Sequence, residues 1–445
     1  MLTRLEVDGF KTLQRVELPM SGFMVIAGVN AAGKSNLFDA LDLLRRLCSE
    51  DLRESFQTSR GEGAELFARL GPDVQAREIR LAAEMILPRK VRDAWGDEAE
   101  LTNTWLRYEV HIRRGVDARG FETLTIGRES LRALGKDDVT KRLGAFGEGF
   151  KRASVVYAGH RKNAYIEMSG DTIELSQDGK AGRKRQYKAT DLQSTVLSGM
   201  NSAVFRHAFA ARQELAAITP LHFDPKVLRE ANPFLAPTQM EADGRYLASM
   251  IAYRTASDPV YLKDIEAYVR QVVSELRSLE IHKDPVHERH VIQAVMSDGR
   301  LYPSKVLSDG TMRLIALAAL RASGEPGSVL CLEEPENGIH PGRIKNLVKL
   351  LRALGADVFS SEPEPSPDPF SPLRQLLVNS HSPVLVGEVN PREMVLARLT
   401  RVTTHEGTSM VTRLLRVTED DDSPTTASRQ TVLDFLGAVE DSAWR

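Results

Sequence analysis

The sequence contains little cysteine and no long apolar run. Its 445 residues include two cysteines, Cys48 and Cys331, far apart in the chain. This spacing argues against a disulfide framework or a zinc site and is typical of a reducing compartment. The first residues, MLTRLEVDGFK, carry charges where a signal peptide needs an apolar segment, and no stretch approaches the roughly 20 apolar residues of a membrane span. We therefore expect a cytoplasmic protein with no membrane partner.

The sequence also lacks an excess of charge of one sign. Its net charge is -2, with 42% hydrophobic and 27% charged residues. These values are ordinary for a globular protein and create no overall basic field for nucleic-acid binding, although a local basic face is compatible with them. Sustained heptads are absent, so we expect no long coiled coil. The length suits one large domain or a few ordinary ones.

An apolar run, a glycine-rich loop and a helical pattern follow one another near the N-terminus. MVIA is typical of a strand buried on both faces, and the leucines of NLFDALDLLRRLC recur at helical spacing. The loop between them, GVNAAGKS (28–35), fits G-x-x-x-x-G-K-[ST]. In this motif backbone amides wrap phosphates, the lysine neutralises the β and γ oxygens, and the hydroxyl binds Mg²⁺. The alternative is a structural turn. The motif residues are Gly28, Gly33, Lys34 and Ser35.

A second apolar strand pattern, SVLCLEEPENGIHP (328–341), ends in two acids. Glu333 would lie near Ser35 and hold Mg²⁺ through water. Glu334 would polarise the water that attacks the terminal phosphate. The alternative is a strand edge that the acids keep solvated. Together with the glycine-rich loop, the two acids favour a catalytic site.

Two further signals are weaker when taken alone. LLVNS predicts a buried strand that delivers His381 at its carboxyl end, where ligands gather in parallel α/β sheets. His381 would bind the γ-phosphate or the attacking water, although a lone histidine is usually structural. In VLSDGTMR, Ser308 and Gly310 precede a helix whose N-terminus could bind a phosphate. The alternative there is simple helix capping by Ser308 or Asp309.

The order of these four motifs resembles that of the ABC-type ATPases, in the branch that includes the SMC proteins, RecF and the OLD ATPases. Within it the chain looks like the compact bacterial "AAA family" predicted ATPases. The opening resembles their N-terminal hairpin, with Gly9-Phe10-Lys11-Thr12 at its turn, so Lys11 would replace the usual arginine near the nucleotide. LSDGTMR resembles the signature, and NSHSP the switch histidine. LCLEEPENGIHP resembles the Walker B and D-loop run, in which Asn337 and Gly338 belong to the D-loop.

Two positions depart from the family pattern, and one expected residue cannot be assigned. Asp309 stands where transporters have glycine, and Glu333 stands where the metal-side acid is usually aspartate. No glutamine can be assigned to the Q-loop, for which Gln186 and Gln193 are guesses. The region between Lys34 and Ser308 carries no coiled-coil pattern, so the long-armed chromosome and repair proteins match poorly.

The resemblance implies an α/β fold: an ABC-ATPase-type P-loop NTPase head with a mixed sheet, an antiparallel β-meander and an inserted helical region. Residues 1–75 and 291–445 would form the ATPase core, 76–190 a β-rich lobe, and 191–290 a helical insertion. Inside the core the motifs would be Walker A at 28–35, the signature at 307–311, Walker B at 329–334 and the switch histidine at 381.

The resemblance also implies a head-to-head dimer, or a higher homo-oligomer, around two ATP molecules with Mg²⁺. Each ATP would be bound by the phosphate loop of one subunit and by Ser308 and Gly310 of the other. Such a nucleotide switch works by differential contacts in two states. The nucleotide-binding set that we expect comprises Gly28, Asn30, Gly33, Lys34, Ser35, Asn36, Lys11, Ser308, Gly310 and Asn337.

Four hypotheses concern what the switch drives. The first is an ATP-driven clamp or sensor for a separate effector protein, such as a nuclease, in anti-phage defence or DNA maintenance. Contact with DNA or RNA would come from the basic residues of GKAGRKRQYK (179–188), with His160, Arg161 and Lys162 just upstream, unless this run is a solvated turn. The second, an OLD-type nuclease, needs a TOPRIM domain, and few residues follow His381. The third is a transporter subunit, and the fourth a slow ATP-dependent regulator.

Overall fold

The structure, a computed structural model, describes residues 1–57, 61, 63–157, 164–178, 184–323, 329–361, 370 and 373–442. Its strands in these residues are β1 (Leu2–Asp8), β2 (Val16–Pro19), β3 (Phe23–Ala27), β4 (Glu78–Ile86), β5 (Lys90–Arg92), β6 (Glu98–Glu100), β7 (Trp105–Val116), β8 (Glu122–Ala133), β9 (Ile166–Ser169), β10 (Thr172–Ser176), β11 (Lys184–Lys188), β12 (Ile218–Leu221), β13 (Asn232–Pro233), β14 (Leu276–Asp284), β15 (Arg289–Met296), β16 (Leu301–Pro303), β17 (Val329–Glu333), β18 (Gln375–Ser380), β19 (Met394–Thr404), β20 (Gly407–Thr418) and β21 (Thr426–Ser428).

The helices in the same residues lie between and after these strands. They are α1 (Lys34–Leu47), α2 (Leu52–Gln57), α3 (Lys136–Arg142), α4 (Glu148–Ser154), α5 (Arg206–Ala216), α6 (Pro225–Leu228), α7 (Leu247–Ser257), α8 (Val260–Arg270), α9 (Asp309–Ala322), α10 (Ile344–Arg352), α11 (Pro383–Gly387) and α12 (Arg429–Ser442). Short 3-10 helices cover Gly63–Leu66, Ala189–Asp191, Leu197–Gly199, Ala203–Phe205, Ser304–Val306, Pro341–Arg343 and Pro391–Glu393.

A seven-stranded sheet in the order β12-β17-β18-β3-β19-β20-β21 forms the centre of the molecule. Its first five strands are parallel, and β20 runs antiparallel to β19. Every residue of β3 and β18 is buried. Side chains alternate along a strand, so Met24 and Ile26 enter one hydrophobic core while Val25 and Ala27 enter the other. Burial on both faces explains the continuous apolar runs in the sequence.

An eight-stranded antiparallel sheet, in the order β11-β10-β9-β8-β7-β4-β1-β2, faces the central sheet across α1. The apolar stripe of α1, including Leu37, Leu41 and Leu44, packs in the same core as Leu5 of β1 and Val110 of β7. The helical spacing of these leucines therefore reflects a helix buried between two sheets.

The second core lies on the opposite face of the central sheet and includes α7 to α10. A small antiparallel sheet, in which β15 lies between β13 and β14 and also pairs with β16, packs against it. The hydroxyl of Tyr261 on α8 donates to the carbonyl of Ala319 on α9 at 2.9 Å and so joins two of these helices.

The predicted fold class, a P-loop head with a mixed sheet, an antiparallel meander and an inserted helical region, is confirmed. Residues 191–290 also contribute β12 to the central sheet and β13 and β14 to the small sheet, so this segment is more mixed than helical periodicity indicated. The domain boundaries stay a prediction. No helix in the described part of the chain combines the length and apolarity needed to cross a bilayer.

Candidate phosphate-binding site

The glycine-rich loop 28–35 leaves the carboxyl end of β3 and enters α1. Lys34 folds back over the loop: its Nζ donates to the carbonyl oxygens of Gly28 at 2.6 Å and Val29 at 2.9 Å, and the residue is 6% exposed. The amide of Gly28 donates to the carbonyl of Ser380 at 3.2 Å and ties the loop to the end of β18. The loop thus closes around a buried ammonium group at the start of α1.

Two positions in the loop require glycine for steric reasons. A Cβ at Gly28 would lie 2.7 Å from the carbonyl oxygen of Ala397, and one at Gly33 would collide with Oγ1 of Thr412. Gly33 also has a φ of 90°, which favours glycine. Asn30 is exposed at the tip of the loop. The glycine spacing of the motif therefore has a packing reason as well as the expected role in phosphate binding.

The electrostatic surroundings of Lys34 combine one buried cation with three acids. Burial lowers the pKa of Lys34, and the carboxyls of Glu334, Glu336 and Glu333 act in the opposite direction. A cation beside an acidic edge is the charge pattern that a phosphate chain with a divalent cation requires.

Glu334 lies directly after β17, with a φ of 45°, a conformation that is uncommon for residues other than glycine and is found often at functional sites. Its amide donates to the carbonyl of Asn379 at 3.0 Å. Its Oε2 accepts from the side-chain amide of Asn337 at 2.9 Å, and its Oε1 lies 2.8 Å from Nδ1 of His381. Residues from two motifs of the sequence, the one that contains Glu334 and Asn337 and the one that contains His381, therefore meet at one carboxylate.

The residues expected to bind Mg²⁺ are Ser35, in the first turn of α1, and Glu333, at the end of β17. Both offer hard oxygen donors. The side-chain amide of Asn379 donates to Oε1 of Glu333 at 3.4 Å. Within the described residues, no group of three or more acids, histidines or cysteines could hold a metal ion by itself. Mg²⁺ is usually bound by one or two side chains together with substrate phosphates.

Ser308 and Gly310 lie at the start of α9. The side chain of Ser308 accepts from the amide of Thr311 at 3.2 Å and caps the helix. A Cβ at Gly310 would collide with the carbonyl of Gly338, so the helix start packs against the loop after β17. Capping, the simpler interpretation of this motif, is therefore present. Gly310 nevertheless lies next to the loop that carries Asn337 and Gly338.

Lys11 occupies the turn between β1 and β2 with a φ of 48°. Its Nζ donates to Asp39 of α1 at 2.7 Å. The neighbouring Thr12 accepts from the side-chain amide of Asn36 at 2.7 Å and shares a hydroxyl hydrogen bond of 2.7 Å with Thr412. The turn is thus fastened to α1 and β20 beside the phosphate loop. Nucleotide contact by Lys11 or Asn36 stays a prediction.

Neither glutamine suggested for the Q-loop lies near this site. Gln186 belongs to β11, at the far edge of the eight-stranded sheet, and bonds Glu174. Gln193 precedes a 3-10 helix, and its carbonyl accepts from the amide of Leu52. On the side away from β18, β17 pairs with β12, and the residue that follows β12 is His222. His222 and Glu333 both line a cavity of about 520 Å³. Sequence reasoning did not find His222, because the strand before it is short and lies in a proline-containing stretch.

Arg229 is a further residue that sequence reasoning missed. Its guanidinium donates to the carbonyl of Leu307 at 3.1 and 2.8 Å and pairs with Asp309. The hydroxyl of Ser304 donates to the carbonyl of Arg229 at 2.9 Å. Arg229 therefore holds the segment that leads into α9, and Asp309, the departure from the transporter signature, has a partner.

The basic run that we considered for nucleic-acid contact is only partly described. Lys184 on β11 donates to Glu174 at 2.8 Å, and the guanidinium of Arg185 lies 5.5 Å from the ring centroid of Phe205. Lys188 is exposed on the same strand. The residues of this proposal that lie outside the described ones are His160, Arg161, Lys162, Lys180 and Arg183.

Comparisons with known proteins identify the family. The family described as "AAA domain, putative AbiEii toxin, Type IV TA system" matches residues 23–87 and 201–387, more than half of the chain. No curated protein matches the sequence. One similar solved structure is an SMC head bound to the C-winged helix domain of ScpA, with 14% identity, coverage of 92% of this chain and 97% of that one, and a TM-score of 0.48.

Two further structures have comparable values. The SMC head domain from Thermotoga maritima is 12% identical, with 92% and 98% of the two chains covered and a TM-score of 0.37. The Smc head domain with a coiled coil and joint from Pyrococcus yayanosii is 12% identical, with 99% of both chains covered and a TM-score of 0.45. Values of this size establish no shared activity. The match over residues 23–87 and 201–387 shows that the chain belongs to the AAA-domain family so described.

Proposed function

We propose that the protein binds and hydrolyses ATP. The observation that carries the proposal is the meeting of Lys34, Glu334, Asn337 and His381 at the carboxyl ends of β3, β17 and β18. Ligands of open α/β sheets bind at this edge. The same edge has a buried lysine, a strained acid and hard oxygen donors, which suit a nucleoside triphosphate with Mg²⁺.

In this proposal the backbone amides of the phosphate loop and Lys34 bind the β- and γ-phosphates. Ser35 and Glu333 hold Mg²⁺, which would neutralise charge on the phosphates. Glu334 accepts the proton of the attacking water. Its two carboxylate oxygens each accept one hydrogen bond, from Asn337 and from His381, and a carboxylate keeps acceptor capacity beyond these two. His381 orients the base through its contact with Glu334 and, in this proposal, also binds the γ-phosphate or the attacking water.

The site supports a composite arrangement in a homodimer. Asn30 projects from the tip of the phosphate loop, and the N-terminus of α9 with Ser308 and Gly310 lies against Gly338 beside Asn337. In the proposed head-to-head dimer, the α9 terminus of one subunit would complete the phosphate site of the other. ATP would then join the two subunits, and hydrolysis would weaken the joint.

The family description, which names a toxin of a type IV toxin–antitoxin system, supports a role with a second gene product. We propose that the dimer switches a separate effector protein in bacterial defence, with DNA or RNA as a possible signal through Lys184, Arg185 and Lys188. The alternative is a slow ATP-dependent regulator that binds no nucleic acid. ATP hydrolysis that DNA or RNA stimulates would favour the first, and a rate that neither changes would favour the second.

The test of the nucleotide site is Lys34→Ala, because this substitution removes the cation that the loop surrounds. We expect loss of ATP binding in equilibrium titration with a fluorescent ATP analogue, and loss of phosphate release. Lys345→Ala, at an exposed position of α10, is the matched control and should bind and hydrolyse ATP as the wild type does. Tight ATP binding by Lys34→Ala would show that the loop is not the phosphate cradle.

A further inference from the structure

A buried carboxyl group lies two residues after Glu334, and the proposed chemistry assigns it no step. Glu336 is 8% exposed and accepts a hydrogen bond from the hydroxyl of Ser380. Its Oε2 is buried and has no hydrogen-bond partner among the described residues. Burying a carboxyl group in this way costs free energy, and an apolar residue of similar size is often the more stable choice. Fold stability therefore does not account for Glu336.

Ser380, the partner of Glu336, connects three loops. It is fully buried at the end of β18. Its Oγ accepts from the amide of Ser382 at 3.0 Å, and its carbonyl accepts from the amide of Gly28 in the phosphate loop at 3.2 Å. His381 lies between the two serines. The bond from Ser380 to Glu336 joins this assembly to the loop that carries Glu334 and Asn337.

Glu336 also interacts electrostatically with the charged groups of the proposed site. Burial raises its pKa, the Ser380 hydrogen bond opposes this, and the charges of Glu334 and His381 also contribute. Glu336 in turn acts on Lys34. The side chain therefore lies within range of the base, the switch histidine and the phosphate-binding lysine.

We propose that Glu336 and Ser380 are a positioning pair for ATP hydrolysis. The pair sets the spacing between Glu334, His381 and the phosphate loop, and neither member touches the substrate. The proposal rests on the proposed ATPase function. Because displacement by about 1 Å can slow a reaction about 100-fold, loss of the pair should act on turnover and leave the binding of ATP, which depends on the loop amides and Lys34, nearly unchanged.

The experiment measures kcat, KM, the equilibrium Kd for ATP and the thermal midpoint of the full chain and four variants: Glu336→Ala, Ser380→Ala, the double variant and Glu336→Gln. We expect each alanine variant to lose tenfold to 100-fold in kcat, with the Kd for ATP changed less than threefold. The double variant should be no slower than the slower single one, because both changes remove the same bond. Glu336→Gln keeps an acceptor for Ser380 and should restore kcat to within threefold of the wild type.

The proposal is overturned if both alanine variants keep kcat within twofold, if their losses multiply in the double variant, or if the Kd for ATP rises as much as kcat falls. A Glu336→Gln variant as slow as Glu336→Ala would overturn it too, since the hydrogen bond would then not be the feature that matters. Absence of ATP turnover in the wild type would refute the proposed function itself, whereas wild-type turnover with unaffected variants refutes only the pair.

Discussion

The half-exposed face of the eight-stranded sheet and the carboxyl edge of the seven-stranded sheet use charged residues in opposite ways. On the eight-stranded sheet, opposite charges pair along and across strands: Arg107 of β7 reaches over β4 and makes two hydrogen bonds of 2.6 Å to Glu6 of β1. Glu109 accepts from His111, and this bond, with nearby arginines, lowers the pKa of Glu109 to about 2. At the carboxyl edge of the seven-stranded sheet, Lys34 is instead buried among acids.

This difference separates charge that stabilises a sheet from charge at the proposed phosphate site. Cross-strand pairs of opposite sign stabilise a sheet with one solvated face and need no ligand. The edge of the central sheet carries features that cost free energy: a left-handed Glu334, a buried Lys34 and a buried Glu336. Costs of this kind persist where function needs them, so we expect substitutions at the two sheets to affect different measurements.

Glu334→Gln should produce the largest effect, a loss of turnover of about 100-fold or more, because an amide cannot accept the proton of water. ATP binding should survive, and gel filtration should show an ATP-dependent dimer that does not dissociate. Glu109→Gln, a matched change on the eight-stranded sheet, should leave the rate of phosphate release within twofold. Normal hydrolysis by Glu334→Gln would remove it as the base.

Glu129→Ala should produce the largest loss of stability. This fully buried acid of β8 accepts from the amides of Val196 and Leu197, both at 2.8 Å, and from the hydroxyl of Tyr108. Its removal leaves buried donors unpaired, so the free energy of unfolding should fall by about 3 kcal/mol in denaturant titration. Glu122→Ala, at an exposed position of the same strand, should change it by less than about 0.5 kcal/mol. Equal losses of unfolding free energy in Glu129→Ala and Glu122→Ala would contradict the stabilising role of Glu129.

Glu129 should also make stability depend on pH. Burial raises its pKa from the ordinary 4.5 to about 7, so between these values the folded protein keeps a proton that the unfolded chain has released. Its contribution is therefore complete below about pH 4.5 and is lost as the pH rises through 7, by about 3 kcal/mol in all. Urea titrations at several pH values should show this fall in the wild type and a flatter profile in Glu129→Gln. Parallel profiles would refute the shift.

Arg229→Ala should have the smallest of these effects, and it should act on dimerisation alone. Without the bonds to Leu307 and Asp309, the entry to α9 loses its support, and the proposed dimer contact weakens. We expect the dissociation constant of the ATP-bound dimer to rise about tenfold, measured by sedimentation, with the Kd for ATP of the monomer unchanged. Arg270→Ala removes a surface pair with Glu266 and should change neither value. An unchanged dimer dissociation constant in Arg229→Ala would show that the bonds of Arg229 do not support dimerisation.

The sequence was sufficient to predict the elements that depend on local pattern. The buried strand β3, the loop 28–35, the stripe of α1 and the two acids at the end of β17 follow from runs and spacings of a few residues. The bonds between Glu336 and Ser380 and between Arg229 and Asp309 could not be predicted, because each joins segments whose proximity depends on sheet order. The strand β12 was not predicted, because it has four residues and one of them is proline.

The neighbours of β3 in the central sheet, β18 and β19, come from the last part of the chain, and Thr12 meets Thr412 beside the phosphate loop. A nascent chain on the ribosome therefore carries the loop sequence long before it can close the loop. The phosphate loop of the proposed ATPase would take its final shape only after β18 and β19 had been synthesised. A product that ends before β18 would keep the motif but lack the strands that shape the loop.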